Sequence, residues 1–261
     1  MNKPAGGEGT VAKAIEIVNL VLNFERAVRF SELLEVSPYP KATLHRFLQT
    51  LTEQGMLAYD DERQVYVPGL HLARLGYRAW LQSSLAPLAK PYLDALAVDV
   101  PETLHLAQME NGRVVFVDKR RSPAQFETLA RMGRTAPGHC TGVGKVMMAF
   151  MDERRREHAI AQQSFEAFTP HTITSPEALR AELEQIRADG FGHDREEHEQ
   201  GIISVAVPIF GNGNKVIGAL SIVTSTYRMS EQELEGYRPA LLRTATQIGR
   251  EAALWPYPVA Y

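Results

Sequence analysis

The chain has one cysteine, Cys140, in 261 residues. A single thiol excludes an intramolecular disulfide framework and any zinc site built on paired cysteines. No apolar run reaches the roughly 18 residues that would span a bilayer. The opening Met1-Asn2-Lys3-Pro4-Ala5-Gly6-Gly7 lacks the apolar stretch of a signal peptide, so the expected location is cytoplasmic. Excess charge is also scarce: 28 Lys+Arg stand against 31 Asp+Glu, a net charge of -3. Residues 1–80 carry 9 of each sign, and the remainder carries 19 against 22. A nucleic-acid reading must therefore rest on where the charges sit, not on their total. What is present suffices for a packed core: 44% hydrophobic and 23% charged residues exclude wholesale disorder. The length suits one or two domains.

Residues 1–9 are Gly-rich and polar and read as a flexible tail. Thr10 is positioned to cap a helix whose apolar stripe is Val11, Ile15, Val18 and Leu22. Ser31 is positioned to cap a second, very short helix, Glu32-Leu33-Leu34-Glu35. Pro38 cannot sit in a helix interior, so Val36-Ser37-Pro38-Tyr39 is a tight link. Pro40 suits the first turn of a third helix, which buries Leu44, Phe47, Leu48 and Leu51 and ends near Gly55. Two alternating runs, Met56–Tyr59 and Val65–Val67, flank a polar tip and predict a hairpin. Three helices and a hairpin in this order describe a winged helix-turn-helix over residues 10–69. An amphipathic linker helix follows over 70–81.

The third helix turns a polar face away from its leucines, carrying Lys41, His45, Arg46 and Gln49 at helical spacing, with Thr43 near the start. Arg can pair with guanine and Gln with adenine, while Lys, His and Thr suit phosphate. Arg63 at the hairpin tip is placed to reach a minor groove or a phosphate. The adjoining Asp60-Asp61-Glu62 would repel phosphate, so only Arg63 or Gln64 can approach.

Residues 82–261 read as α+β with a mainly antiparallel sheet covered on one face. A helix near Pro87–Val98 leads to Thr103–Met109 and Arg113–Lys119, joined by Asn111-Gly112, a strong hairpin signal. Two helices are expected between Gly144 and Asp189, the second capped by Ser175 and ended by Gly190. Phe191–Asp194, Ser204–Phe210 and Lys215–Val223 read as strands, and Ser230-Glu231-Gln232-Glu233 is a capping box opening the final helix.

Two sets of motifs in this order carry a resemblance. Pro40 through Leu51 resembles the recognition helix of the IclR family of bacterial transcriptional regulators. Ala136-Pro137-Gly138-His139-Cys140-Thr141-Gly142-Val143-Gly144-Lys145 resembles that family's effector-domain loop, and Phe191 through Ile202 its second signature. The resemblance implies a homodimer or tetramer on palindromic double-stranded operator DNA. It also implies a GAF-like effector domain taking a small organic acid, with no cofactor. Carried over by motif position, the effector residues are Gly142, Val143, Asp194, Ser204, Ser221 and Val223. Their chemistry is sensible in itself. Backbone amides at a helix start bind carboxylates, and inward serines donate to ligand oxygens. A hydroxy, keto or sugar acid fits this set best and an aromatic acid second.

Other patterns fail on inspection. A phosphate loop requires Gly where His139 stands and Ser or Thr where Val146 stands. His193, Asp194, Glu197 and His198 have weak metal-ligand spacing, so no metal is expected. Arg154-Arg155-Arg156 is flanked by acids and reads as a solvated helix face. Two rival functions stay open at this point: a hydrolase using Cys140 with His139, and a sensory module acting only through protein partners. The favoured reading is a ligand-responsive regulator and not an enzyme.

Overall fold

The computed structural model describes residues 9–121, 128 and 135–254, which fall into two compact units divided between Leu81 and Gln82. The expected tail lies outside the described residues except for Gly9.

The first unit begins with α1 (Thr10–Asn23), α2 (Phe30–Val36) and α3 (Lys41–Glu53). An antiparallel hairpin follows, β1 (Leu57–Asp60) and β2 (Val65–Pro68), and then α4 (Leu70–Ser83). Leu44, Phe47, Leu48 and Leu51 are all buried, as the spacing on α3 predicts. They pack with Ile17, Val18, Val21, Leu33 and Leu57. The expected stripe on α1 is corrected: Val11 is 73% exposed and Ile15 57%, while Ile17, Val18 and Val21 face the core. Lys13, Glu16 and Asn19 share the opposite side of the helix, and the expected stripe follows one edge of the wide apolar face they leave while the core takes the other. The start of α2 is also corrected. It begins at Phe30, and the Arg29 N–H donates to the Glu32 carboxylate at 2.9 Å, a capping role the sequence reading had given to Ser31. Pro40 stands one position before α3 as its N-cap, not inside its first turn. The Tyr39 hydroxyl donates to Glu16, tying the link before α3 to α1. Helix α4 buries no residue within its own unit.

In the second unit six strands form one antiparallel sheet in the order β5-β4-β3-β8-β7-β6. They are β3 (Thr103–Glu110), β4 (Arg113–Arg120), β5 (Thr135–Pro137), β6 (Gly192–Arg195), β7 (Ile202–Phe210) and β8 (Val216–Ser225). Asn111 (φ 49°) and Gly112 (φ 73°) make the tight turn of the β3–β4 hairpin, since both central residues need positive φ. Edge strand β5 was not foreseen. Coverage on one face is corrected to coverage on both. Helices α6 (Gly142–Ala149) and α8 (Pro176–Asp189) lie over the side bearing Ala107, Ala206 and Ala219. The alternate residues Val205, Val207, Ile209, Leu220 and Ile222 are fully buried too. Helices α5 (Ala86–Asp99) and α10 (Arg238–Ala253) cover them. A strand buried on both sides reads as a continuous apolar run, as Ile202–Phe210 does.

Two helix counts differ from expectation. Between Gly144 and Asp189 a third helix, α7 (Glu153–Ala161), intervenes because the Asp152 carboxylate accepts the Arg155 N–H at 3.0 Å and restarts the helix. The Ser230 capping box is present but opens only α9 (Glu231–Glu235), and α10 starts separately at Arg238 with proline in its first turn.

Candidate DNA-reading face and effector cavity

On α3 the side chains of Lys41, His45, Arg46 and Gln49 are exposed on the face opposite the buried leucines, and Thr43 lies half-buried at its border. Their restraints are light. Gln49 donates to Glu53 at 3.1 Å, Arg46 lies over the Phe47 ring at 5.7 Å, and His45 meets Phe30 edge-on at 5.9 Å. Arg63 is exposed at the hairpin tip. The Asp60 carboxylate shapes that tip by accepting the Glu62 and Arg63 N–H groups, each at 3.0 Å, and keeps its negative charge beside Arg63. An apolar groove of about 690 Å³ runs between α1 and α3, lined by Val11, Ile15, Leu22, Phe47 and Leu72 with Arg46 at its edge.

In the second unit the six expected effector residues come from α6 and three strands, yet all line one cavity. The sheet register explains the convergence. Asp194 lies opposite Ser204, Ser204 opposite Val223, and Val223 opposite Thr103. The next row on the same face runs Ala206, Ser221, His105 and Lys119. The start of α6 closes the cavity from above. Thr141 is its N-cap but spends its hydroxyl on the Pro137 carbonyl at 2.9 Å, and no side chain caps the first turn. The first amides of a helix have no intrahelical acceptor, so that turn presents donors to the cavity.

Gly142 is required by close approach. A Cβ there would stand 2.8 Å from the Ser204 hydroxyl, 3.2 Å from the Asp194 nitrogen and 3.3 Å from the His193 carbonyl carbon. The free space inside the cavity is about 40 Å³, enough for a water molecule or two. Admitting a metabolite requires the lining to part.

Asp194 is buried and held in place by its own loop: its carboxylate accepts the Glu197 N–H at 2.8 Å. Burial, reinforced by the neighbouring Glu197 carboxylate, pushes its pKa up to about 7. Beneath it the sequence reading missed a structural cation. Lys145 is completely buried, with its Nζ 2.5 Å from Glu197 and 3.1 Å from Glu182. A lysine inside the apolar helix Gly142–Ala149 was itself the signal, since a buried ammonium needs carboxylate partners.

The reading also missed His105, Phe116, Thr128 and His198, which line the same cavity. For His105 the signal was present in β3. Leu104 and Leu106 alternate with Thr103, His105 and Ala107, so one face of the strand is polar where a core face would be apolar.

The lookalike sites resolve geometrically. His193 and Asp194 are successive residues of β6 and point to opposite faces. His193 approaches Glu231 and Glu235 of α9, while Asp194 and His198 face the cavity. Cys140 is fully buried, and burial drives its thiol far above the ordinary range. The His139 ring is occupied elsewhere, with Nδ1 3.4 Å from Gln163 and Nε2 3.2 Å from the Glu166 carbonyl. Neither provides an accessible thiolate nucleophile with a base. No helix among the described residues is long and apolar enough to cross a membrane.

Comparison with known proteins agrees with both halves. The IclR helix-turn-helix domain matches residues 10–61, and the IclR C-terminal domain of bacterial transcriptional regulators matches residues 79–250. The HTH-type transcriptional regulator KdgR of Escherichia coli is 33% identical over 258 residues, spanning 99% of this chain and 98% of that protein. XynR of the same organism is 30% identical over 241 residues, spanning 92% and 96%. The crystal structure of the Thermotoga maritima IclR superposes with a TM-score of 0.74 at 28% identity, covering 94% of this chain and 98% of that one. With a reading helix in one unit and a buried polar cavity in the other, this chain belongs to the IclR family of transcriptional regulators, a DNA-binding family and not an enzymatic one.

Proposed function

We propose that this regulator reads its operator through Lys41, Thr43, His45, Arg46 and Gln49 of α3, with Arg63 on the flank, and that a small hydroxy, keto or sugar acid bound in the second unit controls it. The observation that carries the effector reading is convergence. Gly142, Val143, Asp194, Ser204, Ser221 and Val223 lie far apart in sequence and line one cavity at a helix start. The ligand carboxylate belongs at the first turn of α6, where unpaired amides and the positive helix end favour an anion. The far end meets hydroxyls, imidazoles and a carboxyl held near neutrality, which suit hydroxyl or keto oxygens better than an aromatic ring or a second full charge.

Control requires that the acid bind two conformations with different affinity, because equal affinity shifts nothing. Linker helix α4 is the segment through which that difference changes the spacing of two reading heads. A lone recognition helix covers a short half-site, so the working species is a homodimer or larger. The exposed Val11, Ile15 and Leu22 beside the groove, with Leu75 and Tyr77 of α4, supply an apolar surface for pairing. Action on operator DNA puts the protein in the cytoplasm.

A mobility-shift titration on upstream DNA, with and without gluconate, galacturonate, xylonate or 4-hydroxybenzoate, tests the whole reading. Arg46→Ala is expected to weaken specific binding by about 1–3 kcal/mol and relax preference at one base pair. Equal loss on random DNA reassigns Arg46 to phosphate, and no loss on either removes it from the interface. Release or tightening by none of the acids argues against the effector assignment.

A further inference from the structure

We propose that His105 selects a hydroxylated or keto acid over an unsubstituted one, its Nε2 forming a hydrogen bond with a neutral oxygen of the ligand. This rests on the effector reading above and adds a residue that the motif positions do not include.

His105 lines the cavity and is only 3% exposed. Its Nε2 is buried without a hydrogen-bond partner among the described residues. Buried ring nitrogens are nearly always paired, so an orphan on a residue that lines a cavity calls for an occupant. The ring is held in place: it packs on Phe116 with centroids 5.0 Å apart and planes inclined at 59°, and in register it sits between Ser221 and Lys119. Burial and the nearby Lys119 ammonium push its pKa down to about 3, so the imidazole is neutral across the physiological range.

A neutral imidazole has one donor and one acceptor nitrogen and no charge to offer a carboxylate. The acid group has the better partner in the first turn of α6. A hydroxyl, which both donates and accepts, satisfies Nε2 in either tautomer, and a keto oxygen satisfies the N–H form. In the free protein Nε2 is closed off from solvent, so it gains a partner only when a ligand parts the lining. A ligand without oxygen at that place leaves the nitrogen unpaired. Sites built around a polar group reject analogues that cannot meet it for this reason.

Calorimetry on the full chain tests this with gluconate, galacturonate and xylonate against hexanoate, which has a carboxylate and no hydroxyl. Wild type is expected to bind one of the sugar acids at least ten-fold more tightly than hexanoate. His105→Phe keeps the ring packing and should weaken that sugar acid about ten- to hundred-fold while tightening hexanoate, which no longer leaves a nitrogen unpaired. His105→Gln, which restores a polar group near Nε2, should recover much of the loss. Equal weakening of both acids would mark His105 as structural and overturn the proposal, as would unchanged sugar-acid binding in the Phe variant. If the Phe variant does not fold, the wild-type ratio and the Gln variant decide: a ratio near one, or a Gln variant that loses both acids equally, overturns it. No heat from any acid in wild type removes the effector reading itself, and this inference with it.

Discussion

The two units place their candidate functional residues on opposite sides of the burial line. In the first, Lys41, His45, Arg46, Gln49 and Arg63 are exposed and lightly restrained, and the core beneath them is purely apolar. In the second, Asp194, Ser204, Ser221, His105 and Lys145 are all buried, and each is held by strand register or by a charged partner. A surface that reads DNA can change its side chains without disturbing the fold that presents them. A cavity made from core positions cannot, because the groups that bind also pack.

The sharpest way to break that contrast is Lys145→Ala. It would leave Glu197 buried without its cation, beside Asp194 and Glu182. Breaking a buried ion pair from one side typically costs about 3–5 kcal/mol. Urea unfolding of the second unit is expected to shift by that order, whereas Arg46→Ala should leave both units within about 0.5 kcal/mol of wild type, as surface changes do. Similar losses from both substitutions would erase the distinction.

Gly142→Val comes next. It should block the ligand carboxylate and abolish the response to acid. The contacts of an added Cβ with Ser204 and with the backbone of β6 make it an overpacking change, costing about 1–3 kcal/mol. Loss of ligand response should therefore arrive together with a lower melting point for the second unit. A variant that melts as wild type and fails only to bind acid would show that the loop has slack the structure does not suggest.

The smallest effect is a pH dependence. Folding raises the Asp194 pKa from 3.8 to about 7. Between those values the folded chain binds more protons than the unfolded one, so this group's contribution is complete below about pH 4 and is lost as pH rises to about 7. His105 and His198 are depressed by burial and act in the opposite sense, losing stability as pH falls. The difference between wild type and Asp194→Asn isolates the carboxyl. Across pH 5 to 8 the wild-type urea midpoint should fall relative to that of the variant. Parallel midpoints would mean that Asp194 is ionised throughout.

Legibility followed the same division. The recognition helix could be read from the sequence because an exposed amphipathic helix against a small core writes both of its faces into a short stretch. Helix α1 was less legible, since its apolar face is wide and packing against α3 decided which edge of it is buried. In the second unit the resemblance supplied six cavity positions, and the alternation in β3 held an unread signal for His105. Lys145 looked like a fragment of a phosphate loop until Glu182 and Glu197, 37 and 52 residues away, were seen to meet it.

By itself the sequence determined most of the helices and strands (β5 and α7 excepted), the turn at Asn111-Gly112, the buried leucines of α3 and the membership of a DNA-binding family. These follow from local periodicity, capping and turn chemistry, which act over a few residues. Only the tertiary structure decided that both sheet faces are covered, that Gly142 admits no side chain, that His193 and Asp194 part company across β6, and that a histidine nitrogen is left facing a cavity. Those outcomes depend on which distant segments pack together, and burial gives a polar group its cost or its use only once its neighbours are fixed.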